Sequence, residues 1–200
     1  TANDLERILE QSRSAQQLVD QLVAFGHGRQ YHQEPVDLLA LLDGLRTELL
    51  RMAGDRHQVE SRSEGQAALV LADVASLHLA LLNICRNALE SMPQGGTVVL
   101  GLQSPSGSGE PFGDIDAGLP AGEFVHFFVK DQGCGIDPVN LDRIFHPFFS
   151  TKPSGQGAGM GLSVTHGIIR DHGGMLSVQN DAEGAVFTIL MPALAPANCQ

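Results

Sequence analysis

Between Asp131 and Val164 the chain reads DQGCGIDPVNLDRIFHPFFSTKPSGQGAGMGLSV, a stretch with six glycines and one lysine. Glycine is costly to order and is used where backbone must turn tightly or approach another group closely. A segment this long without periodic hydrophobicity is either functional or disordered. Its flanks carry clear patterns. EFVHFFVKD enters it as an apolar strand ending at Asp131, and GMGLSVTHGIIRDHGG leaves it as a helix from about Met160 to His172, stopped by Gly173 and Gly174. Any fold for this chain must therefore carry a long glycine loop between a strand and a helix start.

The remaining elements are legible from periodicity. Leu5, Ile8, Leu9, Leu18, Val19 and Leu22 form a heptad-like stripe on a first helix that needs partner helices to bury it. GHGRQYHQEP interrupts that pattern, and Pro35 suits the start of the next helix, VDLLALLDGLRTELLRMAG, which closes near Gly54. Strands are expected around HQVES and AALVLAD, then a third helix from about Val74 to Met92, then the strand TVVLGLQ. SPSGSGEPFGDIDAGLPAG reads as a mobile surface insertion. MLSVQND and AVFTILMP form a closing hairpin around Ala182-Glu183-Gly184. Helices and strands mix without strict βα alternation. The expected class is α/β, a two-layer sandwich of a mixed sheet with helices on one face.

Composition narrows the partners. Twelve basic residues against 23 acidic ones give −11, which argues against a nucleic-acid binder with a basic stripe. It leaves room for a small anion held by backbone amides and a metal. Cys85, Cys134 and Cys199 are scattered, without zinc or CxxC spacing, so a reducing cytoplasmic setting is expected. None of the eight histidines stands in a metal-ligand spacing.

Three familiar phosphate loops fail. A Walker A loop needs a lysine after glycine, and neither Lys130 nor Lys152 follows one. The GxGxG at Gly157, Gly159 and Gly161 follows a polar loop rather than the strand of a Rossmann unit. The partner motifs of a protein-kinase glycine loop are absent. The physical content survives, because glycines running into a helix start aim free N–H groups, backed by the helix dipole, at one spot. A polyphosphate suits such a spot, and a plain flexible loop is the alternative.

Four segments in fixed order carry a resemblance: LLNICRNALESM on a helix, DQGCGI at a strand end, IFHPFFSTK, and GQGAGMGL at a helix start. Together they resemble the N box, first glycine box, F box and second glycine box of sensor histidine kinases, in the gyrase and mismatch-repair ATPase superfamily. HGGMLSVQN and GAVFTILMP are similar to the last strands of the same Bergerat-type domain. The resemblance runs from about Val36 to Pro192 and is finest toward nitrogen-regulatory and hybrid sensor kinases.

What the resemblance implies is specific. Asn83 and Asn87 lie one turn apart on one helix face, with Asn87 as the Mg²⁺ ligand and both asparagines in the catalytic set together with Lys152. Asp131 accepts from the adenine amino group, and Gly133 and Gly135 let the base approach. Ile136, Phe145 and Leu162 give apolar contacts. Lys152 and the backbone at Gly157, Gly159, Met160, Gly161 and Leu162 meet the phosphates. Arg86 either reaches the phosphates or forms a surface ion pair, and Thr188 either supports the adenine pocket or is a plain strand position. A lid spans about His146 to Ala158.

Gyrase-type relatives place a water-activating glutamate where this chain has Asn83, an amide that is no general base. Phosphoryl transfer to a protein histidine is therefore expected over hydrolysis, with ATP and Mg²⁺ as cofactors. A gyrase-like ATPase and a nucleotide-binding regulatory module without kinase activity are the alternatives. The acceptor histidine is expected outside the fragment, because no histidine here precedes Glu or Asp. Residues 1–30 resemble the second helix of a dimerisation hairpin, 31–195 the ATP-binding domain, and 196–200 a tail. The implied partners are an acceptor hairpin, a response-regulator receiver domain and a second protomer.

Overall fold

A computed structural model describes residues 31–64, 69–103, 124–152 and 159–194. The expected first helix, the insertion after Gln103 and Gly157 lie outside the described residues. Three α-helices and seven strands follow in the order β1 (Glu34–Asp37), α1 (Leu38–Ala53), β2 (His57–Glu64), β3 (Leu69–Ala72), α2 (Val74–Glu90), β4 (Gly96–Gln103), β5 (Phe124–Lys130), α3 (Gly161–Asp171), β6 (Met175–Asn180) and β7 (Ala185–Pro192).

Local chemistry sets the helix starts. Asp37 and Asp73 cap α1 and α2, each accepting a backbone N–H of the first turn at 2.9 Å. Leu38, Leu42, Leu45, Leu49 and Ala53 then recur on one face of α1, and Gly54 ends the helix at φ 56°. Pro35 does not open this helix. It sits in β1, opposite Leu71 of β3, in a separate two-stranded antiparallel sheet. Proline is tolerated in so short an edge strand, and the Asp37 cap moves the helix start to Leu38. The AALVLAD strand therefore belongs to this small sheet and not to the main one.

The main sheet has the order β2-β4-β5-β7-β6, with β2 and β4 parallel and the remaining neighbours antiparallel. Strand alternation divides its two faces. Val98, Leu100 and Leu102 of β4, Val125, Phe127 and Val129 of β5, and Ala185, Phe187, Ile189 and Met191 of β7 share one core with the apolar faces of α1, α2 and α3. The fold is thus the expected two-layer sandwich. On the opposite face Val99, Phe128, Val186, Thr188 and Leu190 are also buried. Gly101 is required there, because an added Cβ would lie 1.8 Å from the Phe128 ring.

Candidate functional site

The end of β5, the end of α2 and the β6–β7 hairpin meet around Asp131. Only 2% of this residue is exposed, and its Oδ1 accepts from the N–H groups of Gly133 at 2.8 Å and Ala185 at 3.2 Å. Burial pushes its carboxyl above the ordinary 3.8, while these two hydrogen bonds and the Ser91 hydroxyl pull the other way. Space around it is tight. A Cβ on Gly133 would stand 2.2 Å from Ser91 Oγ, and one on Gly184 would stand 2.3 Å from the Asp131 carbonyl oxygen. Ser91, Gly184 and Ala185 belong to this cluster, and sequence reasoning missed all three. The signal for Gly184 was present in the hairpin EGAVF, which reads as a turn leading into a family-like last strand and not as a close approach to Asp131.

Gly135 adopts φ 68° beside Asn180, whose side-chain oxygen accepts from the Ile136 N–H at 2.8 Å and whose amide donates to the Ile136 carbonyl at 2.6 Å. Asn180, also missed, thereby fixes the backbone that carries Ile136. A cavity of about 270 Å³ opens here between Gly133, Cys134, Gly135 and the hairpin residues Asn180, Asp181 and Gly184. It adjoins the base-recognition end expected at Asp131. Cys85 lies away from solvent in α2, and burial pushes its thiol up to about 12, which keeps it unreactive.

The second cluster joins α2 to the start of α3. Asn83 is buried, and its Nδ2 donates to the Gly161 carbonyl at 3.4 Å. Asn87, one turn on, is half-buried, and its side-chain amide makes no hydrogen bond among the described residues. No side chain caps α3 at Met160, so its first N–H groups stay available. Thr165 Oγ1 bridges the helices by donating within reach of the Gly161 carbonyl (2.9 Å) and the Ala80 carbonyl (3.3 Å). Gly159, at φ 66°, presses its backbone on Phe148 and Phe149: an added Cβ would be 2.5 Å from the Phe148 carbonyl carbon. Leu162 and Phe145 pack on the core, and Phe145 stacks on His166 with ring centroids 5.3 Å apart.

Both expected phosphate cations turn to one carboxylate. Lys152 Nζ pairs with Glu90 Oε2, and Arg86 Nε lies 3.7 Å from Glu90 Oε1. Thr188 is not brought to Asp131. It stands opposite Phe128 and Ser177 on the far face of the sheet, three residues and therefore one face removed from Ala185. Among the described residues its buried hydroxyl has no hydrogen-bond partner.

The donor set fits a magnesium nucleotide. A neutral amide oxygen left open at Asn87 suits a hard cation that keeps most of its waters. Uncapped N–H groups at a helix start suit phosphate oxygens, and a buried carboxylate with one oxygen already held by backbone suits an amino group. Fold and clusters together define an ATP-binding α/β sandwich. The family model described as "Histidine kinase-, DNA gyrase B-, and HSP90-like ATPase" matches residues 72–195, and the chain belongs to that family.

The chain is 33% identical over 193 residues to the sensor kinase CckA of Brucella abortus (strain 2308), covering 96% of this chain and 20% of that protein. It is 34% identical over 195 residues to the two-component sensor PprA of Pseudomonas aeruginosa, again covering 96% and 20%. It spans about a fifth of the length of these relatives. Among solved structures, the mycobacterial sensor histidine kinase MprB has 26% identity and a TM-score of 0.64, over 80% of this chain and 97% of that one. Full-length ShkA in complex with AMPPNP has 25% identity and a TM-score of 0.76, over 98% of this chain and 39% of that one. Among the described residues no helix is long and apolar enough to cross a membrane.

Proposed function

We propose that this chain is the catalytic, ATP-binding part of a two-component histidine kinase. It binds ATP·Mg²⁺ and passes the γ-phosphate to a histidine on an acceptor helix hairpin, of the same protein or a second protomer. The observation that carries this reading is the hydrogen bond from Asn83 to Gly161. It ties α2 to the uncapped start of α3, so that the open Asn87 amide stands one turn along α2 from a set of backbone phosphate donors. Asp131 receives the adenine amino group, with Gly133, Gly135 and Ile136 along the base.

A bound Mg²⁺ would neutralise phosphate charge and orient the γ-phosphate, held by the Asn87 amide oxygen. The chain's own contribution is positioning: the N–H groups from Gly159 to Leu162 hold the phosphates, and Lys152 and Arg86 exchange their contacts with Glu90 for the polyphosphate. Asn83 supplies no base to activate water, which favours transfer to a protein side chain. Residues 31–195 form the catalytic domain and 1–30 part of a dimerisation hairpin. The domain works in the cytoplasm, within a homodimer whose partner is a response-regulator receiver domain.

The test mixes the chain with γ-labelled ATP, Mg²⁺ and an acceptor hairpin from a sensor-kinase relative. The reading predicts acid-labile label on the hairpin, lost on chelation of Mg²⁺ and absent when alanine replaces the hairpin histidine. Multiple-turnover release of phosphate with no labelled hairpin would establish an ATPase instead. ATP binding with neither outcome would leave a nucleotide-binding regulatory module.

A further inference from the structure

Lys130 is one of two lysines in the chain and the last residue of β5, immediately before Asp131. Alternation along the strand puts its side chain on the face opposite the carboxylate it precedes. There its ammonium lies 2.7 Å from Asp181 Oδ2 and 2.7 Å from Glu183 Oε2, both in the β6–β7 turn. The other oxygen of Asp181 accepts the backbone N–H groups of Glu183 at 2.8 Å and Gly184 at 3.0 Å. The next residue, Ala185, donates its N–H to Asp131 Oδ1. An unbroken path of polar contacts thus runs from the ammonium, through the shape of the turn, to the buried carboxylate.

We infer that Lys130 is a positioning residue for base recognition, clamping the β6–β7 turn so that Ala185 and Gly133 hold Asp131 Oδ1 and leave Oδ2 for an exocyclic amino group. This rests on the nucleotide-binding function proposed above. The clearances around the turn explain why a clamp is needed. Gly184 packs so closely that even a Cβ would stand 2.7 Å from Asp131 Oδ1 and 2.8 Å from the Gly133 nitrogen. A turn displaced by a fraction of that distance either collides with the carboxylate or releases it. The hydrogen bond from Lys130, with that from the Glu183 backbone behind it, holds the Asp181 carboxyl down at about 2, so the clamp stays ionised throughout the physiological range.

Half-exposed ion pairs add little to global stability, so a purely structural role and a positioning role differ in what they move. Affinities for ATP·Mg²⁺ and for the triphosphate of purine riboside, which lacks the 6-amino group, are measured on the wild type, Lys130→Met, Lys130→Arg and Asp181→Asn. Melting temperatures are recorded beside them. The wild type prefers ATP. Lys130→Met weakens ATP about fivefold to tenfold, the scale of one misplaced hydrogen bond, and leaves the purine riboside triphosphate unchanged, so the preference collapses. Asp181→Asn moves the same way, and Lys130→Arg restores most of the preference.

Equal loss for both nucleotides, or an unchanged preference in Lys130→Met, overturns the positioning role while the nucleotide site stands. A wild type that binds neither nucleotide overturns the nucleotide reading and this inference with it.

Discussion

The two ends of the site are built on opposite principles. At the base end the groups that set the geometry are held by the protein: Asp131 Oδ1 holds two backbone N–H groups, Asn180 holds both sides of Ile136, and Lys130 holds two carboxylates. At the phosphate end the side-chain amide of Asn87 has no partner among the described residues and no side chain caps the start of α3, and Lys152 rests on Glu90. The difference separates two jobs. Recognition of a flat, weakly charged base depends on geometry fixed before it arrives. A polyphosphate and its cation bring enough charge to organise groups left waiting, and a rigid cage there would slow product release.

The comparison breaks most visibly at Gly184. Gly184→Val forces side-chain carbons into the Asp131 backbone, so calorimetry without ligand should show a loss of about 2–4 kcal/mol, and ATP binding should vanish. Unchanged melting would mean that the base end is not preorganised. Protonation is a subtler probe. Because burial raises Asp131, the acceptor it offers an amino group disappears at a pH above the ordinary aspartate value of 3.8. ATP affinity should fall with acidification over that higher window, and an Asp131→Asn variant should be weak and flat over the same range.

Asp181 titrates in the opposite sense. Its hydrogen bond from Lys130 lowers the carboxyl from 3.8 to about 2. The folded state therefore binds this proton less readily than the unfolded chain, and the stability it contributes is present above 3.8 and lost as pH falls toward 2. In melting curves the gap between wild type and Asp181→Asn should narrow over that interval; a constant gap would contradict the coupling. The smallest effect is expected at Thr188, whose buried hydroxyl is unpartnered among the described residues and which lies on the sheet face away from Asp131. Thr188→Val should raise stability by about 0.5–1 kcal/mol and leave ATP affinity alone. Weakened binding would mean that the far face of the sheet communicates with the pocket.

The same contrast explains what was legible in the sequence. At the phosphate end the nearness of Asn83, Asn87 and the start of α3 was legible, because these residues sit on one helix face and one helix start, where periodicity and glycine spacing report position directly; Glu90, which takes Lys152 and Arg86, was not. Asp37 and Asp73 were readable as caps in principle, yet Pro35 drew the expected helix start forward over a strand too short to show alternation. At the base end Asp131, its glycines and Ile136 were visible, but not what holds them. Lys130, Asp181, Glu183 and Ala185 converge through the antiparallel register of β5, β6 and β7, and no local pattern encodes that meeting. Thr188 was misplaced for a related reason. β7 is apolar on both faces, so hydrophobicity gave no phase to tell whether Thr188 faces the pocket or is a plain strand position.

The central claim is that one site binds ATP through Mg²⁺ at Asn87 and the base at Asp131. Thermal unfolding of the wild type and Asn87→Ala, with ATP and either Mg²⁺ or a chelator, tests it most directly. At one hundred times the dissociation constant the ligand should stabilise the wild type by about 2.7 kcal/mol, or about 5–10 °C for a domain of this size. The shift should shrink with the chelator and in Asn87→Ala, while the ligand-free melting of the variant stays within about 0.5 kcal/mol of the wild type. A wild type that melts at the same temperature with and without ATP·Mg²⁺, or a variant that keeps the full shift, would contradict the account.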